Sequence, residues 1–102
     1  MMQAVTVKEL QQLLQQQADI QLIDVREPEE HADFNIGGTL IPLGEILQKA
    51  NAIAKNKPVM LYCRKGIRSQ VAIQRLLAKY PYTNLYNVTG GTNAWIKAFG
   101  KD

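Results

Sequence analysis

Val59-Met60-Leu61-Tyr62-Cys63-Arg64-Lys65-Gly66-Ile67-Arg68-Ser69 decides how this chain folds. With Pro58 before it, Val59 to Tyr62 reads as a short apolar strand. After Ser69, the residues Gln70 to Lys79 place their apolar side chains at helical spacing. The single cysteine of the chain therefore stands at the exit of a buried strand, on a loop that feeds a helix N-terminus. Arg64, Lys65, Arg68 and Gly66 are the other marked residues of that loop. A thiol in such a place is expected to ionise easily and to sit where an anion binds.

Upstream, Ile20-Gln21-Leu22-Ile23-Asp24-Val25 is a second strand. Arg26 to His31 then turns into a short helix, with Pro28 suited to its first turn and acids near its positive end. Thr6-Val7-Lys8-Glu9 is a capping box opening a helix that buries Val7, Leu10, Leu13 and Leu14. The intervening glutamines, Gln11, Gln12, Gln15, Gln16 and Gln17, form its solvated face. Phe34 to Thr39 is a loop with paired glycines, and Leu40-Ile41 is a stub of strand ended by Pro42. Leu43 to Lys55 is expected as an amphipathic helix, because Leu43, Ile46, Leu47, Ala50 and Ile53 recur at its period.

Downstream, Pro81 stops the helix that follows the cysteine loop. Asn84 to Val88 is a further strand. Thr89-Gly90-Gly91-Thr92 is a tight turn into a last helix carrying Ala94, Trp95, Ala98 and Phe99, ended by Gly100. Gly90, Gly91 and Trp95 read as architectural.

Strands and helices alternate, and the strands lack a polar face. This pattern predicts an α/β fold, a parallel sheet with helices on both faces. Ligands in such sheets bind at the carboxyl ends of the strands. Asp24, the cysteine loop and Gly90-Gly91 all follow strand ends, so they should share one edge. With 102 residues, no repeat and no linker, residues 1–102 are expected to form one domain.

Composition narrows the function classes. An apolar content of 46% is enough for a core without staples. One cysteine makes no internal disulfide, and one cysteine with one histidine does not supply the usual thiolate zinc cluster. No metal and no cofactor are expected. No stretch approaches the roughly 18 apolar residues of a membrane span, and the N-terminus lacks a basic region followed by an apolar run. No membrane association and a cytoplasmic location are the expectations, with the thiol kept reduced. The net charge of +3 favours anionic partners. The cations are scattered outside the cysteine loop and not interleaved with aromatics, so nucleic acid is not an expected partner.

A lone cysteine is usually a small buried hydrophobe. Here the context points to catalysis, because the thiolate is the reactive species and this loop stabilises negative charge. Successive backbone N–H groups curling into a helix N-terminus form an anion nest, and the helix dipole adds to it. Arg64, Lys65 and above all Arg68 add full charges. Gly66 allows the sharp turn, Ile67 lines the mouth, and Ser69 is expected to cap the helix with its hydroxyl. Asp24 and Arg26 are expected to support the site through an internal ion pair or turn hydrogen bonds at the strand end. His31, in a surface-like acidic helix, is not expected to act as a base.

These residues resemble the rhodanese-like sulfurtransferases in their single-domain form. The resemblance rests on Asp24-Val25-Arg26-Glu27 with Glu30 following, Ile41-Pro42-Leu43, Cys63 to Ser69, and Thr89-Gly90-Gly91-Thr92-Asn93-Ala94-Trp95. One departure is Phe34-Asn35-Ile36, where many relatives carry Gly-His-Ile. The resemblance implies a five-stranded parallel sheet and a reaction in two halves. Cys63 would take the outer sulfur of thiosulfate or a similar small anionic donor, release sulfite and hold a persulfide. Loop N–H groups from Arg64 to Ser69 would bind its charge. Cyanide, a thiol or a protein would then remove the sulfur.

Two alternatives stand beside this reading. One is a persulfide carrier or partner-binding module with little turnover on free thiosulfate. The other is a cysteine-dependent phosphatase or arsenate reductase, whose loops need an arginine six positions after the cysteine. Here Ser69 holds that position and the arginine falls at Arg68.

Overall fold

The computed structural model describes residues 2–101. Five parallel strands form one sheet in the order β1-β5-β4-β2-β3: β1 Gln3–Val5, β2 Gln21–Asp24, β3 Thr39–Leu40, β4 Val59–Tyr62 and β5 Leu85–Val88. Four helices alternate with them: α1 Val7–Gln15, α2 Pro28–Asp33, α3 Ile67–Lys79 and α4 Gly91–Phe99.

Side chains alternate across the pleat and so define two cores. Ile23, Val59, Leu61 and Cys63 point to one face, where Ala72, Ile73 and Leu76 of α3 meet Ile46, Ala50 and Ile53. Leu22, Met60, Tyr62 and Val88 point to the other, against Val7 and Leu10 of α1 and Ala94, Trp95 and Phe99 of α4. Both faces of β4 are covered, which is why its four residues are all buried and uniformly apolar. Each such fully buried Leu or Ile contributes roughly 1.5–3 kcal/mol.

The capping box of α1 is formed as expected: Glu9 N–H donates to Thr6 Oγ1 at 3.1 Å, and Thr6 N–H donates to Glu9 Oε1 at 2.8 Å. The expected helix over Leu43 to Lys55 is not formed. Only two 3-10 turns appear there, Leu43–Glu45 and Ala50–Ala52. Gly44 weakens helix formation at the start. Nearer the end, the Gln21 side chain donates to Ala52 O and accepts from Ala54 N–H, both at 2.7 Å, so tertiary bonds satisfy the backbone. The apolar period survives even so, and Ile46, Ala50 and Ile53 are buried. Strand β1 gave no signal of its own, being three residues of pattern exposed, exposed, half-buried at the sheet edge.

Candidate active site

Cys63 follows β4 directly, and its side chain is 1% exposed, at the floor of a cavity of about 160 Å³ lined by Cys63, Arg64, Lys65, Ile67 and Arg68. Ile67 stands 64% exposed at the mouth. Helix α3 begins earlier than its apolar period suggested, at Ile67, with Gly66 as the residue before it. The turn needs Gly66 at φ +92°, a left-handed conformation that a side chain disfavours.

Gly66 N–H donates to Cys63 Sγ at 3.1 Å, and Ser69 N–H donates to it at 3.4 Å. The Ser69 hydroxyl also lies 3.4 Å from the sulfur. Burial by itself pushes the thiol pKa up. The Ser69 hydroxyl and the N–H groups of Ser69, Gly66 and Lys65 outweigh that, and the net direction is down from 9.0. Ser69 therefore does not cap α3: it lies inside the first turn, and its hydroxyl donates to the side-chain oxygen of Asn87. The capping reading failed because an apolar period does not mark a helix start that Gly66 makes by backbone geometry alone.

The N-terminus of α4 holds the outer side of the loop. Thr92 N–H donates to Cys63 O at 2.9 Å, and Asn93 N–H donates to Arg64 O at 3.0 Å. These two carbonyls are drawn away from the sulfur, while the N–H groups of Gly66 and Ser69 face it. The contact requires Gly91, where an added Cβ would stand 2.1 Å from Cys63 O.

Arg68, at the lining of the cavity, is held in an ion pair. Its guanidinium binds Glu30 of α2 at both oxygens, 2.7 and 2.8 Å. Arg64 and Lys65 are exposed and unpaired with any carboxylate among the described residues. The Arg68 pair draws the Glu30 pKa down to about 2.

Asp24 and Arg26 make the expected ion pair, buried and bidentate, at 2.9 and 2.8 Å. Burial raises the Asp24 pKa, but the hydrogen bonds from Arg26 and His31 reverse the sign and hold the carboxylate below its usual range. His31 is less surface-like than its acidic helix suggests: its Nδ1 lies 2.8 Å from Asp24 Oδ2, so the ring is anchored to the core. Helical placement brings this about, since His31 and Glu30 point from adjacent positions of α2 to Asp24 and to Arg68 respectively. Arg26 also donates to Phe34 O at 2.6 Å, and Tyr62 Oη donates to Gly37 O at 2.9 Å. This network fixes α2 and the loop after it against the sheet edge, and thereby places Glu30.

Two residues of the site were missed in the sequence. Glu30 stands there in the motif that carries the resemblance, with nothing to indicate that it pairs with Arg68. Asn87 had a faint signal, a polar residue inside an otherwise apolar strand.

Residues 6–98 match the rhodanese-like domain family. The chain belongs to the rhodanese-like family. It is 33% identical over 98 residues to a sulfurtransferase of Allochromatium vinosum, covering 95% of this chain and 91% of that protein. A 76-residue stretch is 46% identical to the uncharacterized protein YqhL of Bacillus subtilis, covering 74% of this chain. The chain spans 60% of that Bacillus protein and as little as 21% of other curated relatives. Among solved structures, a rhodanese-like domain protein from Staphylococcus aureus superposes with a TM-score of 0.82 at 33% identity, over 92% of this chain and 91% of that one. The parallel five-stranded sheet is the family's fold.

Proposed function

We propose that this chain is a sulfurtransferase that moves a sulfane sulfur through a persulfide on Cys63. The observation that carries this is the convergence of the Gly66 and Ser69 N–H groups on one buried sulfur. These donors stabilise a thiolate, which attacks the outer sulfur of a small anionic donor of the thiosulfate type. The new bond forms at Sγ while the bond to the sulfonate sulfur breaks, and the electron pair leaves with sulfite. The same nest holds the persulfide until cyanide, a thiol or a protein thiol attacks it, the two-stage pattern of covalent catalysis.

The cavity supports a small donor, and exposed Arg64 and Lys65 give it a positive approach. A phosphatase would need a guanidinium at the position held by Ser69, whose hydroxyl is turned to Asn87, while Arg68 is engaged by Glu30. Incubation with thiosulfate, followed by intact mass measurement, should show one added sulfur atom, lost in Cys63→Ser. An unchanged mass, or a gain that persists in Cys63→Ser, rejects the assignment. Turnover with cyanide, measured beside hydrolysis of an aryl phosphate, separates an enzyme from a carrier and both from a phosphatase.

A further inference from the structure

Asn87 is 4% exposed and lies on β5 in register with Leu61, two residues before the cysteine. Its side-chain Nδ2 donates to Gly66 O at 3.3 Å. A carbonyl only accepts, so this contact fixes which way the amide faces. The amide oxygen must then point at Ser69, where it accepts the hydroxyl proton. Ser69 Oγ lies 3.4 Å from Cys63 Sγ on its other side.

A serine hydroxyl has one proton and two lone pairs. With the proton on Asn87, only lone pairs face the sulfur, an arrangement that suits an S–H donor. A thiolate is met badly by it. To stabilise the anion, the hydroxyl must rotate its own proton to the sulfur, while the thiol proton leaves to solvent in the cavity. Asn87 Oδ1 then loses the hydroxyl that it accepts from, in a buried place.

We infer that Asn87 is a positioning residue that competes with the Cys63 thiolate for the Ser69 hydroxyl proton, so that this hydroxyl switches with the charge on the inner sulfur. One consequence rests on the proposed persulfide chemistry. Once the outer sulfur is bonded, the negative charge moves onto it, and the hydroxyl proton returns to Asn87. The switch thereby favours the loaded site over the bare thiolate.

The charges around the sulfur form a constant background in the variants below. They are exposed Arg64 and Lys65, Arg68 held by Glu30, and the Asp24–Arg26–His31 cluster at the end of β2.

The test is the pH dependence of Cys63 alkylation by iodoacetamide, which reads thiol ionisation and needs no sulfur chemistry. Asn87→Ala should lower the midpoint and speed alkylation below it roughly fivefold, since the freed hydroxyl serves the thiolate alone. Ser69→Ala should raise the midpoint, Ser69→Thr should restore it, and the double alanine variant should match Ser69→Ala. A residue that merely braces the loop predicts the opposite sign for Asn87→Ala, and a raised midpoint there overturns the inference. So does an Asn87 effect that persists without the Ser69 hydroxyl. Should Asn87→Ala not fold, an unmoved midpoint in Ser69→Ala overturns it independently. Failure of thiosulfate to load Cys63 would reject the proposed function and leave these midpoints readable.

Discussion

At the scale of single residues, Cys63 shows how a buried thiol is kept ionisable. Its surroundings oppose one another: burial favours the neutral form, and the hydrogen bonds of the loop favour the anion and win. The folded protein should therefore react with alkylating agents along a pH profile whose midpoint lies below that of the same protein in urea. Because the folded value is depressed from 9.0, the associated stability is complete above 9.0 and is lost as pH falls through the folded value. Denaturant midpoints across that window check the sign, and Cys63→Ser should flatten the difference. The cysteine, its nest and its cations were all legible in the sequence, because strand, loop and helix follow one another along the chain. Ser69 and Asn87 were not legible as a pair. Their meeting depends on β5 lying beside β4, a neighbourhood that a separation of 18 positions along the chain conceals.

Among the elements, α2 and α4 grip the cysteine loop from outside, each through a contact that sequence periodicity does not reveal. The Glu30–Arg68 pair links α2 to the first turn of α3. Arg68 lowers the Glu30 pKa from 4.5 to about 2, so the pair's contribution is complete above 4.5 and is lost as pH falls toward 2. For a partly exposed pair it amounts to about 1 kcal/mol. Glu30→Gln should remove that acid-dependent component in denaturant unfolding at pH 5 against pH 3. On the other side, Gly91→Ala meets Cys63 O and carries a side chain at φ +56°. The backbone strain alone costs about 1–3 kcal/mol. Unfolding and alkylation should both register it, because relief of the clash moves the nest. The same distinction explains the uneven reading of the helices. Local capping made α1 predictable, whereas a glutamine from β2 decided that Leu43 to Lys55 would fold as turns.

Across the whole molecule, parallel strands deliver Asp24, Cys63 and the Gly90-Gly91 turn to one edge of the sheet, as the alternation of elements predicted. Under that edge lies the Asp24–Arg26 pair, with both side chains at most 5% exposed. Removing one partner leaves a buried charge unmatched, so Asp24→Ala should cost about 3–5 kcal/mol in unfolding free energy. Above the edge, charge is distributed differently from the sequence expectation that Arg68 leads in meeting the donor. Arg68 is neutralised by Glu30, while Arg64 and Lys65 stand exposed on a chain of net charge +3. Under the proposed reaction, attraction of a dianionic donor would depend on exposed charges that salt screens over about 10 Å at 0.1 M. The KM for thiosulfate should rise with ionic strength, and Arg64→Ala with Lys65→Ala should raise KM and flatten that salt dependence. Arg68→Ala should disturb kcat by loosening the loop more than it alters the salt slope. If Arg68→Ala instead removes the slope and the double variant keeps it, the Glu30 pair must open to receive the donor.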